Sequence, residues 1–451
     1  MILSARALAE HGAYRYSRPP GYPIHEALTA LVVKGGAAAA NGLVAAFSVV
    51  AFVAFARVLR HVGIRDRIPV ALAMAFTPVV FVNSVVSLDY VVGLALALLA
   101  VDAVLRNRWM QGGVWLGLAV GARITWGGML VPLAIWSFSA GRDTRGFLRL
   151  AGATVATGAA VFVPVFATYG TGFFTFSEAA AYPGLGAVLV RLGPDTWGTL
   201  GAAALAVALP AALIRSAPIR SVLGGPARFR AWRVAVGAQG GVPPGMRPVL
   251  LLAGSTVVLY ILVFLRLPHA AGYLVPVVPF LLLALAVLLP RGAVWVLCAL
   301  LVLSSVVSVG RSGVSFGGPM AWQREARVRD VTRMAGWMAR IAEVPQGSVV
   351  VAGSHLPALE VALGADPLQV FPEPGTVGSA SGVGATVRGG EVELRYLVSE
   401  VEACAAYRRA GRRVYWIAGA ADFNRQIYGV DLAAACGAVP LGAEESAMVE
   451  R

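Results

Sequence analysis

The sequence predicts a mainly α-helical bundle of membrane-spanning segments, followed by a small C-terminal α/β domain. Hydrophobic residues make up 58% of the 451 residues and charged residues only 13%, whereas soluble domains carry roughly 25% charged residues. The mean hydropathy of the chain is +0.74. Apolar runs of membrane-crossing length recur as far as residue 310, and the composition becomes more polar from about Phe316.

The apolar runs divide the chain into three predicted regions. Residues 1–36 are expected to form an extracytoplasmic loop with short helices, residues 37–310 a transmembrane helical bundle, and residues 316–451 an extracytoplasmic α/β domain. The predicted spans are 38–57, 68–84, 89–105, 147–168, 197–214, 248–266, 272–290 and 292–310. The segment 112–138 is too short for two full crossings. We predict that it forms a short helical hairpin, with glycines that permit close packing and Arg123 at its tip.

The distribution of arginines predicts the orientation of these spans. The net charge of +14 comes almost entirely from arginine, because Lys34 is the only lysine. The arginines lie in short loops between apolar runs, which indicates membrane topology and argues against nucleic-acid binding. The predicted inner loops contain Arg57, Arg60, Arg65, Arg67, Arg106, Arg108, Arg142, Arg145, Arg149 and the arginines of the acid-free loop 215–247. Ten crossings then place both termini and the C-terminal domain outside.

The C-terminal region alternates helix and strand patterns. Residues 322–344 predict an arginine-rich helix, 347–354 a buried strand and 355–364 a second helix, while 393–411 and 412–420 repeat the helix-then-strand order. The Gly/Pro/Ser-rich stretch 371–390 predicts a surface loop. His355 is interpreted as structural. Pairing of Cys404 with Cys436 in an oxidising compartment is an alternative to two free thiols.

Polar side chains at the outer edges of several spans form the candidate site. These side chains are Arg18, Tyr22, Glu26, Asp89, Arg123, Arg266, His269 and Tyr273. Ionisable groups at a membrane boundary are functional candidates, because burying one without a partner costs several kcal/mol. Arginine suits a phosphate, which it binds through two nitrogens. A carboxylate can accept the proton of a hydroxyl group or bind a divalent cation.

Most of these candidate residues also have a structural interpretation. Capping of the helix that begins at Tyr90 is an alternative role for Asp89. Pairing with an acid or a lipid headgroup is the alternative for Arg123, and anchoring at the membrane interface is the alternative for Arg266 and His269. The segment RPPGYP is equally consistent with a rigid extended turn.

Four segments in order resemble one family of membrane enzymes. ARALAEHGAYRYSRPPGYPIHEAL resembles the first extracytoplasmic loop of bacterial GT-C membrane glycosyltransferases that use polyprenyl-phosphate-linked sugars. This group contains the protein mannosyltransferases and the aminoarabinose and rhizobial lipopolysaccharide transferases. SVVSLDYVVGLALALLA is similar to the segment with an acid at a helix start, and GLAVGARITWGGMLVPLAIW to the short hairpin with its basic residue. RLPHAAGYLVPVVPFLLLALA resembles the late segment near the lipid phosphate. The resemblance covers about residues 3–310.

The resemblance implies a hexosyl- or pentosyltransferase of the bacterial inner membrane. Its donor would be a polyprenyl-phosphate-linked sugar and its acceptor an extracytoplasmic glycan, lipid or protein, with membrane lipids as further partners. Asp89 would be the catalytic candidate and would contact a metal ion or the acceptor. The residues implied in substrate and phosphate binding are Arg18, Tyr22, Glu26, Arg123, Arg266, His269 and Tyr273. No cofactor is certain, and a divalent metal ion is left open.

This chain departs from the family pattern at its N-terminal end. In the family, a first transmembrane helix and the main catalytic acid precede the segment that resembles residues 5–28. The chain as given is therefore expected to lack that base, through a late start or through loss of the helix, and to be inactive without it. A non-catalytic relative that acts in binding or assembly and a transporter of lipid-linked sugars are the rival interpretations.

Overall fold

A computed structural model describes most of the chain and is mainly helical. The described residues are 2–17, 20–139, 141, 144–171, 182–215, 244–268, 270–310, 313–316, 319–363, 384–387, 391–398, 400–417 and 419–441. Arg18, His269, Arg142 and most of the loop 215–247 lie outside them. The chain divides into two compact units. The helical unit comprises Tyr22–Val163 and Tyr182–Gln323, and the α/β unit comprises Met1–Gly21, Pro164–Ala181 and Arg324–Arg451.

Fourteen of the described helices precede residue 304. They are α1 (Ile2–His11), α2 (Pro23–Val32), α3 (Gly36–His61), α4 (Arg67–Phe76), α5 (Pro78–Ser84), α6 (Asp89–Leu105), α7 (Trp109–Ala122), α8 (Leu130–Ser139), α9 (Thr144–Tyr169), α10 (Leu185–Leu192), α11 (Pro194–Arg215), α12 (Arg247–Arg266), α13 (Val277–Leu288) and α14 (Arg291–Leu303). Short 3₁₀ helices cover Val33–Gly35, Ile124–Met129, Pro244–Met246 and Ala271–Leu274.

Several of these helices are long and apolar enough to cross a membrane. Among the described residues, four pass this test: Pro23–His61, Thr144–Tyr169, Pro194–Ile214 and Arg247–Arg266. A fifth passes if α4 and α5 count as one span, although they are bent by 68°. The bend lies at Thr77, whose ψ of 128° is extended, because the following proline disfavours a helical conformation in the residue before it.

The last two predicted spans are shorter than the sequence pattern suggests. α13 begins at Val277, after the 3₁₀ helix, rather than at residue 272. α14 ends at Leu303, and residues 307–310 form strand β1 (Val307–Gly310), which pairs antiparallel with β2 (Gly313–Phe316). The prediction of a helix as far as residue 310 is therefore wrong. The alternating β-branched valines of this segment favour an extended strand over a helix end.

Helix α6 lies at the centre of the helical unit, packed between α3 and α7. All of its residues except Leu99 and Leu105 are buried. One face of α7 consists of glycines that allow α9 to approach closely. A Cβ added at Gly113 or Gly121 would lie 2.4 Å from an atom of α9, closer than packed atoms come. The prediction that these glycines permit close packing is confirmed.

Helix ends that border predicted inner loops contact one another within the described part of the helical unit. The rings of Trp109, at the start of α7, and Trp136, in α8, lie 6.1 Å apart, so the chain reverses between them as the hairpin prediction requires. At the end of α3, His61 Nε2 lies 3.3 Å from a carboxylate oxygen of Asp102 in α6. Asp66, which follows His61 in the loop after α3, accepts hydrogen bonds of 2.8–3.0 Å from Arg291 at the start of α14.

The α/β unit contains a five-stranded, mostly parallel sheet. Its elements are part of α15 (Pro319–Glu343), β3 (Val349–Val351), α16 (Leu356–Ala362), β4 (Gly384–Val387), β5 (Val392–Arg395), α17 (Val401–Arg409), β6 (Val414–Trp416), α18 (Ala420–Tyr428), α19 (Leu432–Cys436) and β7 (Val439–Pro440). The strand order is β4-β5-β3-β6-β7, with β4 antiparallel at the edge.

Two details of the α/β unit bear on the sequence predictions. The segment 393–411 was expected to be helical throughout, but its first residues belong to β5. Alternating burial along Val392–Arg395 follows the two-residue period of a strand. Cys404 of α17 and Cys436 of α19 form a disulfide. The ring of His355 packs against that of Trp337 at a tilt of 53°, with ring centroids 4.8 Å apart, which agrees with its structural interpretation.

Candidate functional site

The candidate site is built around a buried ion pair between Asp89 and Arg123. Asp89 is the first residue of α6, and Arg123 follows the last residue of α7. Arg123 has an extended backbone, with φ of −161° and ψ of 118°, because α7 ends there and the 3₁₀ helix begins at the next residue. Nη1 of Arg123 donates to Oδ2 of Asp89, whose side chain is fully buried.

Tyrosine rings surround the guanidinium group of Arg123. The carbon Cζ of Arg123 lies 4.1 Å from the ring centroid of Tyr90, 4.6 Å from that of Tyr273 and 5.9 Å from that of Tyr22. Cation–π contacts of this kind are worth about 2 kcal/mol or more where water is excluded. The rings therefore replace water around a cation whose side chain is only 6% exposed.

Glycines allow the aromatic rings of the site to approach the backbone. A Cβ at Gly272 would lie 2.6 Å from the ring of Tyr90, and a Cβ at Gly93 would lie 2.2 Å from Nε1 of Trp126. Both distances are below any real Cβ contact. Each glycine therefore provides the space that an aromatic side chain of the site occupies.

The 3₁₀ helix after Arg123 is held by α12. The hydroxyl of Tyr260 donates to the carbonyl of Thr125 over 3.2 Å, and the rings of Tyr260 and Trp126 lie 5.4 Å apart. Beside them is a cavity of about 10 Å³ lined by Arg123, Tyr273 and Val263, among other residues. This volume accommodates about one water molecule, so a substrate larger than water requires movement of the surrounding side chains.

The structure brings together four of the residues predicted from separate segments. They are Tyr22 from the first segment, Asp89 from the second, Arg123 from the hairpin and Tyr273 from the late segment. Glu26 lies in the first turn of α2, is fully buried and accepts a hydrogen bond of 3.3 Å from the backbone N–H of Tyr22. This bond resembles a helix-capping interaction and fixes the start of the helix next to Tyr22.

Arg266 occupies a different environment from Arg123. It is exposed at the end of α12, one turn after Val263, and forms no ion pair with any residue that the structure describes. A side chain of α10 holds the loop that follows: Nη1 of Arg191 donates a hydrogen bond of 2.6 Å to the carbonyl of Pro268. Arg18 and His269 lie outside the described residues, so their prediction stays untested.

Sequence reasoning missed three aromatic residues of the site. Tyr90 contacts Arg123, Trp126 belongs to the 3₁₀ helix that follows Arg123, and Tyr260 contacts that helix. Their positions next to Asp89 and Arg123 in the sequence were a signal for Tyr90 and Trp126. Tyr260 lies in the middle of an apolar span, and its contact with Thr125 is long-range, so no local pattern identified it.

The carboxylate of Asp89 pairs with the cation of the site. Within the described residues, no group of three or more His, Cys, Asp or Glu side chains lies close enough together to hold a metal ion. The arrangement offers a buried carboxylate, a cation, and phenol hydroxyls from Tyr22, Tyr90 and Tyr273. Comparison of the chain with protein-family models, with curated proteins and with solved structures finds no match.

Proposed function

We propose that the protein is a membrane glycosyltransferase. The proposed reaction moves a sugar from a polyprenyl-phosphate donor to an extracytoplasmic glycan, lipid or protein acceptor. The observation that carries the proposal is the convergence of Tyr22, Asp89, Arg123 and Tyr273, from four distant segments, on one cluster. The four segments that resemble the polyprenyl-phosphate-sugar-dependent glycosyltransferases are the segments that meet there.

The proposed roles follow from charge and exposure. A polyprenyl phosphate leaves readily, so the site needs mainly positive charge for the phosphate and a base for the acceptor. Arg123 already pairs with Asp89, whereas Arg266 is exposed and has no ion pair with a described residue. We assign the first contact with the donor phosphate to Arg266. Arg123 and Asp89 would define the inner wall of the donor site, where Asp89 could reach an acceptor only after rearrangement.

The proposed topology has ten crossings and an extracytoplasmic α/β unit. It is supported by two contacts between helix ends that border predicted inner loops, His61–Asp102 and Asp66–Arg291. It is also supported by the disulfide between Cys404 and Cys436, because disulfides persist in oxidising compartments. Alkaline phosphatase fused after Gly310 should be active in bacterial cells. Activity only from a cytoplasmic reporter at the same position would reverse the topology.

Binding of polyprenyl phosphate to the purified full-length protein in detergent tests the proposed function. This probe contains the part that all such donors share, so the sugar need not be known. Replacing Arg266 by Ala should weaken binding roughly tenfold to hundredfold, because a charge-assisted hydrogen bond is worth about 1.5–3 kcal/mol. Arg149→Ala is the matched control, since Arg149 is an exposed arginine of α9 that has no ion pair with a described residue.

The two variants separate site binding from general attraction. An unchanged affinity in Arg266→Ala would remove Arg266 from the site and support an anchoring role at the membrane interface. An equal loss in both variants would indicate attraction to the net positive charge of the chain. Transfer of a labelled sugar to membrane acceptors, measured with the same preparations, then tests the reaction itself.

A second function, non-catalytic binding or assembly, is favoured by the burial of Asp89. Its carboxylate is fully buried and paired with Arg123, so it does not offer an open base to an acceptor hydroxyl. This alternative predicts polyprenyl-phosphate binding that depends on Arg266, with no sugar transfer from any donor. The alternative would be excluded if the unchanged protein transfers sugar and Asp89→Asn loses this transfer while its affinity for polyprenyl phosphate stays the same.

A further inference from the structure

A second ionic cluster lies at the other end of α6 from Asp89. Its centre is Asp102, which is fully buried and lies about 20 Å further along the helix. Arg106 donates from Nη2 to Oδ2 of Asp102 and from Nε to the Asp102 carbonyl over 3.2 Å. Nε2 of His61 lies 3.3 Å from the other carboxylate oxygen, Oδ1.

This cluster contains more basic groups than the buried carboxylate requires. A buried carboxylate needs one compensating charge, and Arg106 supplies it. The cluster therefore holds two basic side chains, His61 and Arg106, against one carboxylate. Nδ1 of His61 forms no hydrogen bond to any residue that the structure describes, so it is available to a ligand. Unlike Arg123, both basic side chains are partly exposed, Arg106 by 32% and His61 by 29%.

A cavity of about 210 Å³ lies beside His61. Its walls include Val62, Leu105, Trp136, Met246 and Val249. This volume exceeds the roughly 150 Å³ of an engineered protein cavity that accommodates benzene. The cavity thus combines apolar and aromatic walls with an imidazole, which suits a ligand that has a charged group and an apolar part.

The surroundings of the cavity are strongly cationic. Three exposed arginines are sequence neighbours of its lining residues: Arg60 precedes His61, Arg108 follows Leu105 by three positions, and Arg247 follows Met246. Basic pockets between the ends of membrane helices recognise the headgroups of anionic lipids. Trp136 is also a residue type enriched at membrane interfaces.

We propose that this cavity binds the phosphate-bearing headgroup of an anionic membrane lipid. His61 donates a hydrogen bond from Nδ1 to the phosphate, while Oδ1 of Asp102 lies 3.3 Å from the other ring nitrogen, and the apolar walls contact the glycerol and first methylenes. The proposal rests on the proposed membrane location but not on sugar transfer. Free phosphate would satisfy the same charge, but it would make no use of the apolar walls.

Lipid binding to the full-length protein in a neutral detergent tests this site. The probes are dioctanoyl phosphatidylglycerol, dioctanoyl phosphatidylcholine and inorganic phosphate, with affinities measured by calorimetry. We expect phosphatidylglycerol to bind at least about tenfold more tightly than phosphatidylcholine. His61→Gln should weaken phosphatidylglycerol binding roughly tenfold to hundredfold. Arg149→Gln removes one charge from an exposed arginine of α9 that has no ion pair with a described residue, and should leave the affinity unchanged.

A second variant blocks the cavity while keeping its charges. Gly245 lines the cavity, and a Cβ added there meets no atom within 4 Å, so Gly245→Leu is expected to fold and to fill the mouth of the cavity. It should weaken phosphatidylglycerol binding as His61→Gln does. This variant keeps the test decisive if His61→Gln is poorly folded.

Three results would overturn the lipid assignment. They are equal affinity for the two lipids, unchanged phosphatidylglycerol binding in Gly245→Leu, and displacement of phosphatidylglycerol by inorganic phosphate at comparable concentration. The last result would assign the site to a soluble phosphate. Arg266→Ala should retain phosphatidylglycerol binding, so failure of the polyprenyl-phosphate site and failure of this site are distinguishable.

Discussion

The helical unit and the α/β unit both bury carboxylates, but they compensate the buried charge differently. Asp89 and Asp102 of the helical unit are fully buried, and each pairs with an arginine. Glu360 of the α/β unit is 1% exposed, and its Oε1 forms no hydrogen bond with any residue that the structure describes. Burial raises the pKa of Glu360 to about 8. Burial without a partner favours the neutral acid, whereas an arginine beside a buried carboxylate compensates its charge.

The two arginines of the helical unit also differ from each other. The Arg123 side chain is 6% exposed and lies among tyrosine rings, whereas the Arg106 side chain is 32% exposed. Removing a partner from a buried pair leaves a charge that neither water nor protein compensates. Where the arginine is partly exposed, water can solvate the carboxylate after the arginine is removed, so the loss of free energy of unfolding is smaller. The variants that follow test this difference, beginning with the largest expected effect.

Removal of Arg123 should destabilise the protein most. Arg123→Ala leaves Asp89 in a fully buried position without its cation, and we expect a loss of about 3–5 kcal/mol in the free energy of unfolding. The measurement is denaturant unfolding of the full-length protein in detergent, followed by tryptophan fluorescence. The double variant Asp89→Asn/Arg123→Gln removes both charges and should recover much of the loss. Equal stability of the single and double variants would contradict a dominant role for the uncompensated charge.

Glu360 should make the stability of the α/β unit depend on pH. The pKa is 4.5 for the ordinary glutamate and about 8 in the folded protein. A folded-state pKa above the unfolded value means that the folded state holds the proton more tightly. The stabilisation is therefore complete below pH 4.5 and is lost at up to about 1.4 kcal/mol per pH unit as the pH rises towards 8.

Glu360→Gln should remove this slope, because the amide does not titrate. Hydrogen exchange of the β3 amides in the full-length protein, corrected for intrinsic rates, measures the opening free energy. The variant is expected to be more stable than the unchanged protein at pH 8 and equal or less stable at pH 5. Glu402→Gln, which changes an exposed glutamate of α17, is the control and should keep the slope. A parallel slope in Glu360→Gln would assign the pH dependence to other groups.

The positions of most helices followed from the sequence because they depend on local apolar runs. The reversal at Arg123 was predictable for the same reason, since arginine in a short apolar segment favours a turn at the boundary. Strand β1 was not predicted, because a short run of valines is compatible with a helix end until its pairing with β2 is known. Pro78 in the sequence indicates a bend at Thr77, but it does not predict the angle of 68°.

The sequence predicted the charged pair of the site, Asp89 and Arg123, but not the aromatic residues Tyr90, Trp126 and Tyr260. Four segments with polar residues at their outer edges predicted that Asp89 and Arg123 would lie near each other. The i,i+4 spacing of Asp102 and Arg106 predicts their pair in any helix. The contact of His61 with Asp102 joins two different helices, and that of Tyr260 with Thr125 joins residues 135 positions apart. Such contacts depend on packing and have no local signal.

Enlarging Gly272 should loosen the tyrosine rings around Arg123 with a moderate loss of stability. In Gly272→Ala, the new Cβ would lie 2.6 Å from the ring of Tyr90, so the ring must move. We expect a loss of about 1–3 kcal/mol, typical of overpacking in a filled core. Gly254→Ala in α12 is the matched control. Its Cβ meets no atom within 4 Å, and the change should be neutral or stabilising by up to about 1 kcal/mol.

The smallest effect is expected for Arg106, at the other end of α6. Arg106→Gln removes the arginine partner of Asp102, which is as fully buried as Asp89. However, His61 remains 3.3 Å from the carboxylate, and water reaches the 32% of the Arg106 side chain that is exposed. We therefore expect a loss of about 1 kcal/mol or less, in the range of partly exposed pairs. Denaturant unfolding of Arg106→Gln beside Arg123→Gln measures the difference directly. A loss in Arg106→Gln as large as that in Arg123→Gln would mean that the burial of the carboxylate, rather than that of its partner, determines the cost of breaking the pair.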